Sequence, residues 1–501
     1  MAVNPSIQLG TSGNWAIKED NLLAYKQLGN KFFDREFDFS RGTRATFVGR
    51  NGLIQESGLT SAELVTNGDF ATDSDWVKGT GWTISGGTAN QAGSYGILRQ
   101  GNVAPLNTKF KITFDLTNYN GNGDLAIKLA PTQYNVTLNG NGTYNIFTNG
   151  TNTLNQDLQI ISNNGFVGSI TNVSVKEIQV DVPRIDFTDD PTGHLLLEPQ
   201  STNLWRNSEG SDITLTSPLG TFGFYNVTSS AASNSEAFTA GTIVSATFIV
   251  KKADGTTPTI TSSGSPGDII FRITGTSAAG QAGALTDIGN GFYTYKLENY
   301  SVSGNNSDNR ISNNSGDVVY VSLIQLEQKS YPTSYIPTSG SAVTRNQETC
   351  NNSGTVNDFN SEEGVLYAEY KIGGDSTDSY QLISLRDSTD TDSDVIGIGK
   401  HVSSNDIFIR LSIGSVNVFN NLSATPIDGY NKVAISYKSG NSSAWVNGTK
   451  VYSSSSTFTP SLTLSKLSFQ WNDPNTFNFF GKTKNLKVFK RALTDAELQE
   501  L

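Results

Sequence analysis

Apolar residues along this chain recur at every second position over short runs, and the runs are broken by Gly, Asn, Ser and Asp. That spacing predicts strands joined by turns. Val433, Ile435 and Tyr437 alternate with polar neighbours, Ser439-Gly-Asn-Ser turns the chain, and Ala444 and Val446 resume the alternation. The pattern predicts a β-hairpin. Asn447-Gly448 then supplies the positive φ angles of a second tight turn before Val451. Leu486, Val488 and Phe489 predict a last strand, and Thr494 with Glu497 boxes the N-terminus of a short closing helix.

Further upstream, residues 35–56 hold two strand-like runs around Arg50-Asn51-Gly52. Pro183 to Leu204 follows a similar plan, with an aromatic-acidic strand, a turn and then an apolar strand. Both are assigned to one platform. Removing residues 63–180 would join Gln55-Glu56 almost directly to Val182-Pro-Arg-Ile-Asp, so that segment reads as an insertion into the platform. Strands are expected around Ile243 to Lys251, Gly291 to Leu297 and Val318 to Glu327. The inserted segment and this third one each close on an alternating strand, Val173, Val175 and Ile178 in one and Val319, Val321 and Leu323 in the other, which suggests a diverged internal repeat. Tyr331 to Arg345 carries two prolines among small residues and reads as an extended connector, stiffer than a Gly/Ser linker. The expected fold class is all-β: tandem antiparallel β-sandwich (jelly-roll) domains with an extended N-terminal segment and one short C-terminal helix. The expected division is 1–62 plus 181–204 as the platform, 63–180 as the inserted jelly roll, 205–345 as a second sandwich with its connector, and 346–501 as a last jelly roll.

Three resemblances refine this reading. The segments 431–451 and 481–501 resemble the end of concanavalin A-like, laminin-G-type jelly rolls, a likeness that covers roughly 354–501. Glu63-Leu-Val-Thr-Asn-Gly-Asp-Phe through Trp76, then Gly81-Trp-Thr-Ile-Ser and the closing Ile170 to Ile178, resemble a carbohydrate-binding-module jelly roll of the galactose-binding-like or family 4/9 type. Phe39-Ser-Arg-Gly-Thr-Arg-Ala-Thr46, Leu196 to Leu204, Gln325-Leu-Glu-Gln328 and Tyr331 to Arg345 resemble segments that link such sandwiches in structural proteins of tailed bacteriophages. The last resemblance spans about 35–501 and implies a virion appendage, of tail-fibre, head-fibre or decoration type.

Composition narrows the function. A chain of 501 residues, 36% hydrophobic and 16% charged, has room for two to four domains with cores of their own. The net charge of −11 argues against a general nucleic-acid binder, which needs Lys and Arg to neutralise phosphates. Cys350 is the single cysteine, so there is no internal disulfide framework and no cysteine-type zinc site. The start Met1-Ala-Val-Asn-Pro lacks the basic and apolar regions of a signal peptide, and no run of about 18 apolar residues exists. The expectation is a chain made in the bacterial cytoplasm and carried on the virion, with no membrane partner.

Groups for catalysis near neutral pH are few: His194, His401 and Cys350. No triad assembles from them, and His194, beside Gly193, reads as a turn or strand-edge residue. Glycosidases of concanavalin-like fold carry a Glu-x-Asp-x-(x)-Glu run on one strand, and the C-terminal segment has none. Glu36-Phe-Asp38 is the nearest match, but Ser40-Arg41 stands where the third carboxylate belongs. No enzyme is expected. The acidic run 387–394 supplies Asp390, Asp392 and Asp394 as candidate calcium ligands, with Asp69, near Asp73 and Asp75, as another, against the reading of solvated acidic tips. Structural Ca2+ is the one cofactor considered. Sugar recognition needs aromatic faces and amides. Trp76, Trp82, Tyr95 and Tyr119, with Asn118 and Asn120, are candidates in the insertion, and Trp471, Asn472 and Asp473 in the last domain. Half or more of these aromatics should be core, and Trp445, inside the hairpin, is read as sheet packing.

Three function classes remain: an appendage whose jelly rolls bind cell-surface polysaccharide with avidity from many copies, a purely structural reinforcement of capsid or tail, and a bacterial surface adhesin or glycan hydrolase, which the missing signal peptide and carboxylates disfavour. The N-terminal segment is expected to dock on other virion proteins, in a homo-oligomer taken as a trimer by analogy with fibres.

Overall fold

Every strand ladder among the described residues is antiparallel, and the helix Asp495–Gln499 closes the chain. The computed structural model describes residues 7–9, 17–18, 21–22, 37–57, 59–60, 62–105, 109–129, 132–136, 138, 140–147, 157–163, 165–179, 183–228, 233–234, 236–261, 267–273, 281, 283–303, 309–373, 380–387, 389, 393–402, 404, 406–471 and 477–501. Two units result, one of Gly58–Val180 and one of Met1–Ser57 with Asp181–Leu501.

The Gly58–Val180 unit is a two-sheet sandwich. One sheet runs in the order Gly142–Phe147, Lys109–Thr117, Val167–Gln179, Thr88–Ala92, Trp82–Ser85, and the other in the order Thr132–Val136, Leu125–Leu129, Leu158–Ser162, Gly96–Gln100, Val77–Lys78. Phe70, Leu98, Phe114, Ile127, Ile160 and Val175 fill the space between them. Leu59–Thr60 pairs with the far end of the last strand, Thr60 opposite Ile178, so the unit begins and ends on neighbouring strands. That last strand carries a bulge: Thr113 pairs with Ser174 and Asp115 with Thr171, leaving Phe114 opposite Asn172 and Val173, with Asn172 at a φ of 51°.

Residues 205–345 form a second sandwich. Its larger sheet runs Ile213–Ser217, Gly220–Val227, Val319–Glu327, Ile243–Lys252, Phe292–Ser301, Ala284–Gly289, and its smaller one Ser233–Asn234, Asn309–Ser312, Ile270–Arg272. The expected alternation of Val319, Val321 and Leu323 breaks here. Leu323 sits in a bulge at a φ of 52° and turns to the opposite face, against Phe224, Ile249 and Phe292, while Ile324 and Leu326 take over the core positions.

The C-terminal sandwich recruits strands from the expected platform. Its large sheet runs Arg184–Asp186, His194–Leu197, Gly481–Phe489, Glu363–Ile372, Asn431–Lys438, Ser442–Val446, Thr449–Ser454, with Ile7–Leu9 also paired to Gly481–Phe489. The facing sheet runs Val416–Ala424, Ile407–Ile413, Val395–Lys400, Gln381–Asp387, Leu464–Ser468. Phe37, Ile185, Leu195 and Leu197 share one core with Leu366, Ile383, Ile409 and Val488. Phe37 and the strands Arg184–Asp186 and His194–Leu197 are therefore part of the last jelly roll. The predicted hairpin Ala45–Val48 with Ile54–Ser57 forms, as do the hairpins around Gly440 and Asn447-Gly448. Thr494 and Glu497 complete the predicted capping box, Glu497 N donating to Thr494 Oγ1 at 3.3 Å and Thr494 N to Glu497 Oε2 at 2.8 Å. The helix lays Leu498, with Leu493 before it, on Val365, Tyr367, Trp445 and Phe489. Burial of each such leucine is worth about 1.5–3 kcal/mol. Trp445 is thus sheet packing, its Nε1 donating to Ser443 Oγ at 3.0 Å.

Candidate functional site

Among the described residues, a cluster of three arginines and two glutamates is buried. Glu348 Oε1 accepts from Arg41 Nη1 at 2.7 Å and from Arg184 Nε at 2.9 Å, and its Oε2 accepts from Glu198 N at 2.9 Å. Glu198 Oε2 meets Arg184 Nη2 at 2.9 Å and Arg345 Nη1 at 3.0 Å, and its Oε1 accepts from Ser334 N at 2.8 Å. Other guanidinium donors go to backbone and hydroxyl oxygens, Arg41 to Thr43 O and Ser57 Oγ, Arg184 to Thr46 O and Arg345 to Pro199 O, while Arg345 Nε is buried without a hydrogen-bond partner. Burial would raise the Glu198 carboxyl, but Arg345 and Arg184 outweigh it and hold the group down at about 2. Glu348 is likewise held below its usual range by Arg184 and Arg41 against desolvation. Burial disfavours the Arg184 charge, yet Glu348 and Glu198 keep it above its ordinary value.

A second buried layer grips the connector. Glu327 accepts from Thr333 N at 2.7 Å and Thr333 Oγ1 at 2.6 Å, Gln325 Oε1 accepts from Ile336 N at 2.6 Å, and Asn203 Nδ2 donates to Ile324 O and Ile336 O. The extended connector expected from its prolines is therefore fixed by Gln325 and Glu327 of the 205–345 sandwich's own last strand and by Asn203 just before that sandwich. Arg41, Arg184, Glu198, Arg345 and Glu348 all lie outside the candidate residues drawn from sequence. The available signal was a charge embedded in an apolar strand, as in Pro183-Arg-Ile and Leu195-Leu-Leu-Glu198.

Two of the candidate sugar-binding residues, Trp76 and Trp82, are buried in the core of the inserted sandwich. Trp76 is 6% exposed, packs on Phe70 at 5.2 Å between ring centroids and donates from Nε1 to Asn67 O. Trp82 is 4% exposed and tilts against Phe166. Both ring systems are spent on the core and neither offers a face to a ligand. Tyr95, 54% exposed, does reach solvent. Tyr119 is half-buried, stacks on Phe166 at 5.8 Å and donates to Gly123 O. Both tyrosines lie at one end of the Gly58–Val180 sandwich, where three loops are tied together: Gly165 N donates to Gly93 O at 2.9 Å, Ser162 Oγ to Ser94 O at 3.0 Å, and Asn120 Nδ2 to Gly165 O at 3.1 Å. Asn118 Nδ2 donates to Ser169 Oγ.

Of the calcium candidates, the structure describes Asp394 and Asp69. Asp394 is buried with both oxygens engaged, Oδ1 accepting from Gly414 N at 2.7 Å and Oδ2 from Leu462 N at 2.9 Å and from Ser461 Oγ. These bonds tie the loops at 414 and 461–462 to the start of the strand Val395–Lys400. Asp69 is exposed and accepts from Ala71 N. Among the described residues no three His, Cys, Asp or Glu side chains gather as metal ligands; Asp390, Asp392, Asn472 and Asp473 lie outside those residues. His194 is buried at the start of its strand, with Nε2 3.3 Å from Asp186 Oδ1. Desolvation lowers its pKa despite Asp186, so it is neutral at pH 7 and closed to any substrate.

Trp471, 7% exposed, belongs to a different arrangement. Inward residues of the five-stranded sheet, such as Ile383, Ile396, Ile398 and Ile409, point to the core, so Leu382, Gly397, Gly399, Phe408 and Arg410 face outwards. On that outer face Tyr380 meets Phe408 at 4.8 Å, Trp471 at 5.4 Å, His401 at 5.4 Å and Phe477 at 5.9 Å. Arg410 lies over the Trp471 ring at 5.3 Å and donates from Nη1 to Asn420 Oδ1 at 3.1 Å. Phe477 is 36% exposed and holds a φ of 60°, a region that bulky side chains rarely adopt. The result is a second, buried hydrophobic cluster of Leu382, Phe408 and Trp471 on the far side of the sheet from the sandwich core, with Tyr380 partly buried against it.

No family model matches the chain, and no curated protein does. Among solved structures, the Ruminococcus gnavus IT-sialidase CBM40 is similar at 16% identity over 30% of this chain and 92% of its own, with a TM-score of 0.25. The same module bound to alpha2,3 sialyllactose gives 17% identity, 28% and 82% coverage and a TM-score of 0.24. Domain 4 of AbnA, a GH43 extracellular arabinanase from Geobacillus stearothermophilus in complex with arabinotriose, gives 12% identity, 31% and 72% coverage and a TM-score of 0.25.

Proposed function

We propose that this chain is a non-enzymatic structural subunit of a bacteriophage virion appendage, a rigid mount whose β-sandwich domains are held out to contact glycans. The buried Arg41–Arg184–Arg345 and Glu198–Glu348 cluster carries the reading. Its charges come from the segments on either side of both sandwiches and are consumed in fixing those segments. Buried ion pairs of this kind favour one arrangement over its alternatives at the cost of desolvation, which suits a load-carrying part. The same residues, closed to solvent, are in no position to act on a substrate. Other virion proteins bound through the N-terminal segment, a homo-oligomer and a cell-surface polysaccharide are the partners this role calls for.

Purification of particles from the source of this chain, followed by quantitative mass spectrometry, tests the role. Peptides at a fixed stoichiometry of several copies per particle are expected, and their absence from purified particles would overturn it. A glycan array with the intact chain separates the two structural readings: binding supports adsorption, and silence from a multivalent preparation leaves reinforcement of the particle.

A further inference from the structure

We infer that His194 and Asp186 form an acid-sensitive latch: protonation of the buried imidazole loosens the strand pair Arg184–Asp186 and His194–Leu197 at the edge of the C-terminal sandwich. The latch is a property of the mount and is independent of any glycan contact.

The geometry suits a neutral ring and not a charged one. The His194 side chain is fully buried, its Nε2 lies 3.3 Å from Asp186 Oδ1 without the alignment of a good hydrogen bond, and its Nδ1 has no partner among the described residues. An imidazolium carries two N–H donors. Here one of them would be left unsatisfied away from water, beside the Lys482 ammonium. Asp186 is already engaged, Oδ2 accepting from Val48 N at 2.8 Å and Oδ1 from Thr188 N at 3.0 Å. Burial therefore outweighs the Asp186 carboxylate and holds the imidazole below its ordinary pKa.

The charged groups around His194 are fixed by one another. Among the described residues they are Asp189 and Asp190 from its own hairpin loop, Lys482 and Lys484 from the strand Gly481–Phe489, and Lys371 and Glu369 from the strand Glu363–Ile372. Arg50 of the 45–57 hairpin lies over the Phe187 ring, and the Tyr430 ring stands 6.0 Å from the imidazole. Lys482 Nζ holds Asp189 at 2.6 Å, and Lys484 holds Asp190. Against the pull of burial these lysines keep both carboxyls low, Asp190 at about 2, while burial raises the Tyr430 phenol. Histidine is the side chain that ordinarily changes charge in mild acid, and the chain has two, His194 and His401.

Arg184–Asp186 is three residues long and lies at the end of its sheet, a place where local opening is least costly. Arg184 begins that strand and Glu198 follows the next, so an opening of the pair reaches the buried ion cluster. The sign follows from burial. A folded pKa below the unfolded value of about 6.5 makes the stability complete above that pH and lets it fall as pH drops from there.

Denaturant unfolding of the full chain at about pH 7 and about pH 5.5 tests the latch, with hydrogen exchange, corrected for its intrinsic rate, to locate the opening. The unfolding constant of the Met1–Ser57 with Asp181–Leu501 unit should rise roughly five- to tenfold at the lower pH. Protection should fall first in 184–186 and 194–197. His194→Gln, which takes up no proton, should abolish the rise, whereas His401→Gln should keep it. An equal rise in His194→Gln would overturn the latch. A second measurement leaves His194 in place: in NMR of the chain with isotope-labelled histidine, the signal that survives His401→Gln belongs to His194. Its midpoint should lie below about 6.5, and a midpoint at or above that value in the folded chain would equally sink the proposal.

Discussion

Five strands of the large sheet run in the same order in the Gly58–Val180 sandwich and in the 205–345 sandwich, and Ala284–Gly289 extends only the second. In each large sheet the first strand pairs with the second, the second with the last, and the last with the strand that carries a Thr-Phe step, Thr113-Phe114 or Thr247-Phe248. In each, that phenylalanine stands opposite a bulge in the last strand, with Asn172 or Leu323 at positive φ. The matching loop ends differ completely. In one, loops rich in Gly and Asn are tied around Tyr95 and Tyr119. In the other, Lys252 Nζ draws in Asp317 at 2.8 Å, Asp268 at 3.6 Å and Asp254 at 3.7 Å. The lesson is that core and bulge set the frame, while the loops at its ends are free to change chemistry without disturbing it.

The buried cluster is where the two regions should part most sharply. Arg184→Met strands two carboxylates among the remaining arginines, and removing one member of such a group costs about 3–5 kcal/mol. Calorimetry should show the loss in the Met1–Ser57 with Asp181–Leu501 unit while the Gly58–Val180 transition stays in place; an equal fall in both would mean the sandwiches melt as one. Phe114→Ala and Phe248→Ala test the shared bulge. Each should cost about 3–4 kcal/mol in its own sandwich by denaturant titration, and clearly unequal losses would end the equivalence of the two sites.

Acid sharpens the same contrast. Glu198 is held at about 2 in the folded chain, below its unfolded value, so the stability it contributes is complete above about pH 4.5 and is lost as pH falls through about 2. The expected loss is about 3 kcal/mol, followed by near-UV circular dichroism, and a flat profile over that window would contradict the ion cluster. The smallest effect belongs to Lys252→Met. Its carboxylates Asp254 and Asp268 are held low by hydrogen bonds and by Lys252, so the variant should melt below the parent at pH 7. The gap should close as falling pH protonates the carboxylates, below the ordinary Asp range. A gap independent of pH would assign Lys252 to packing.

Local signals are the legible ones. The hairpins of 431–454 and the capping box at Thr494 lie within a few residues of their partners, so alternation and turn chemistry suffice. The buried cluster joins Arg41 to Glu348 across 307 residues, and no local rule reports that pairing. Likewise the strands 184–186 and 194–197 are legible as a pair, but their membership of the last jelly roll depends on Leu195 meeting Thr483. Trp82 carries a local signal against sugar binding: it shares a strand face with Ile84, and both point inwards. Phe408 and Arg410 have the opposite parity to Ile407, Ile409 and Leu411, a pattern that points to a second apolar surface outside the core.

Because Leu59–Thr60 lies beside the end of Val167–Gln179, the long excursion from Gly58 to Val180 begins and finishes within one strand spacing. During synthesis this matters for timing. A loop closed by a disordered chain of that length carries an entropic cost that grows with its logarithm, whereas a folded excursion pinned at its base behaves as a short link. The inserted sandwich is thus expected to fold first and to act as its own clasp, after which Arg41 and Arg184 find each other as though they were near neighbours in the chain.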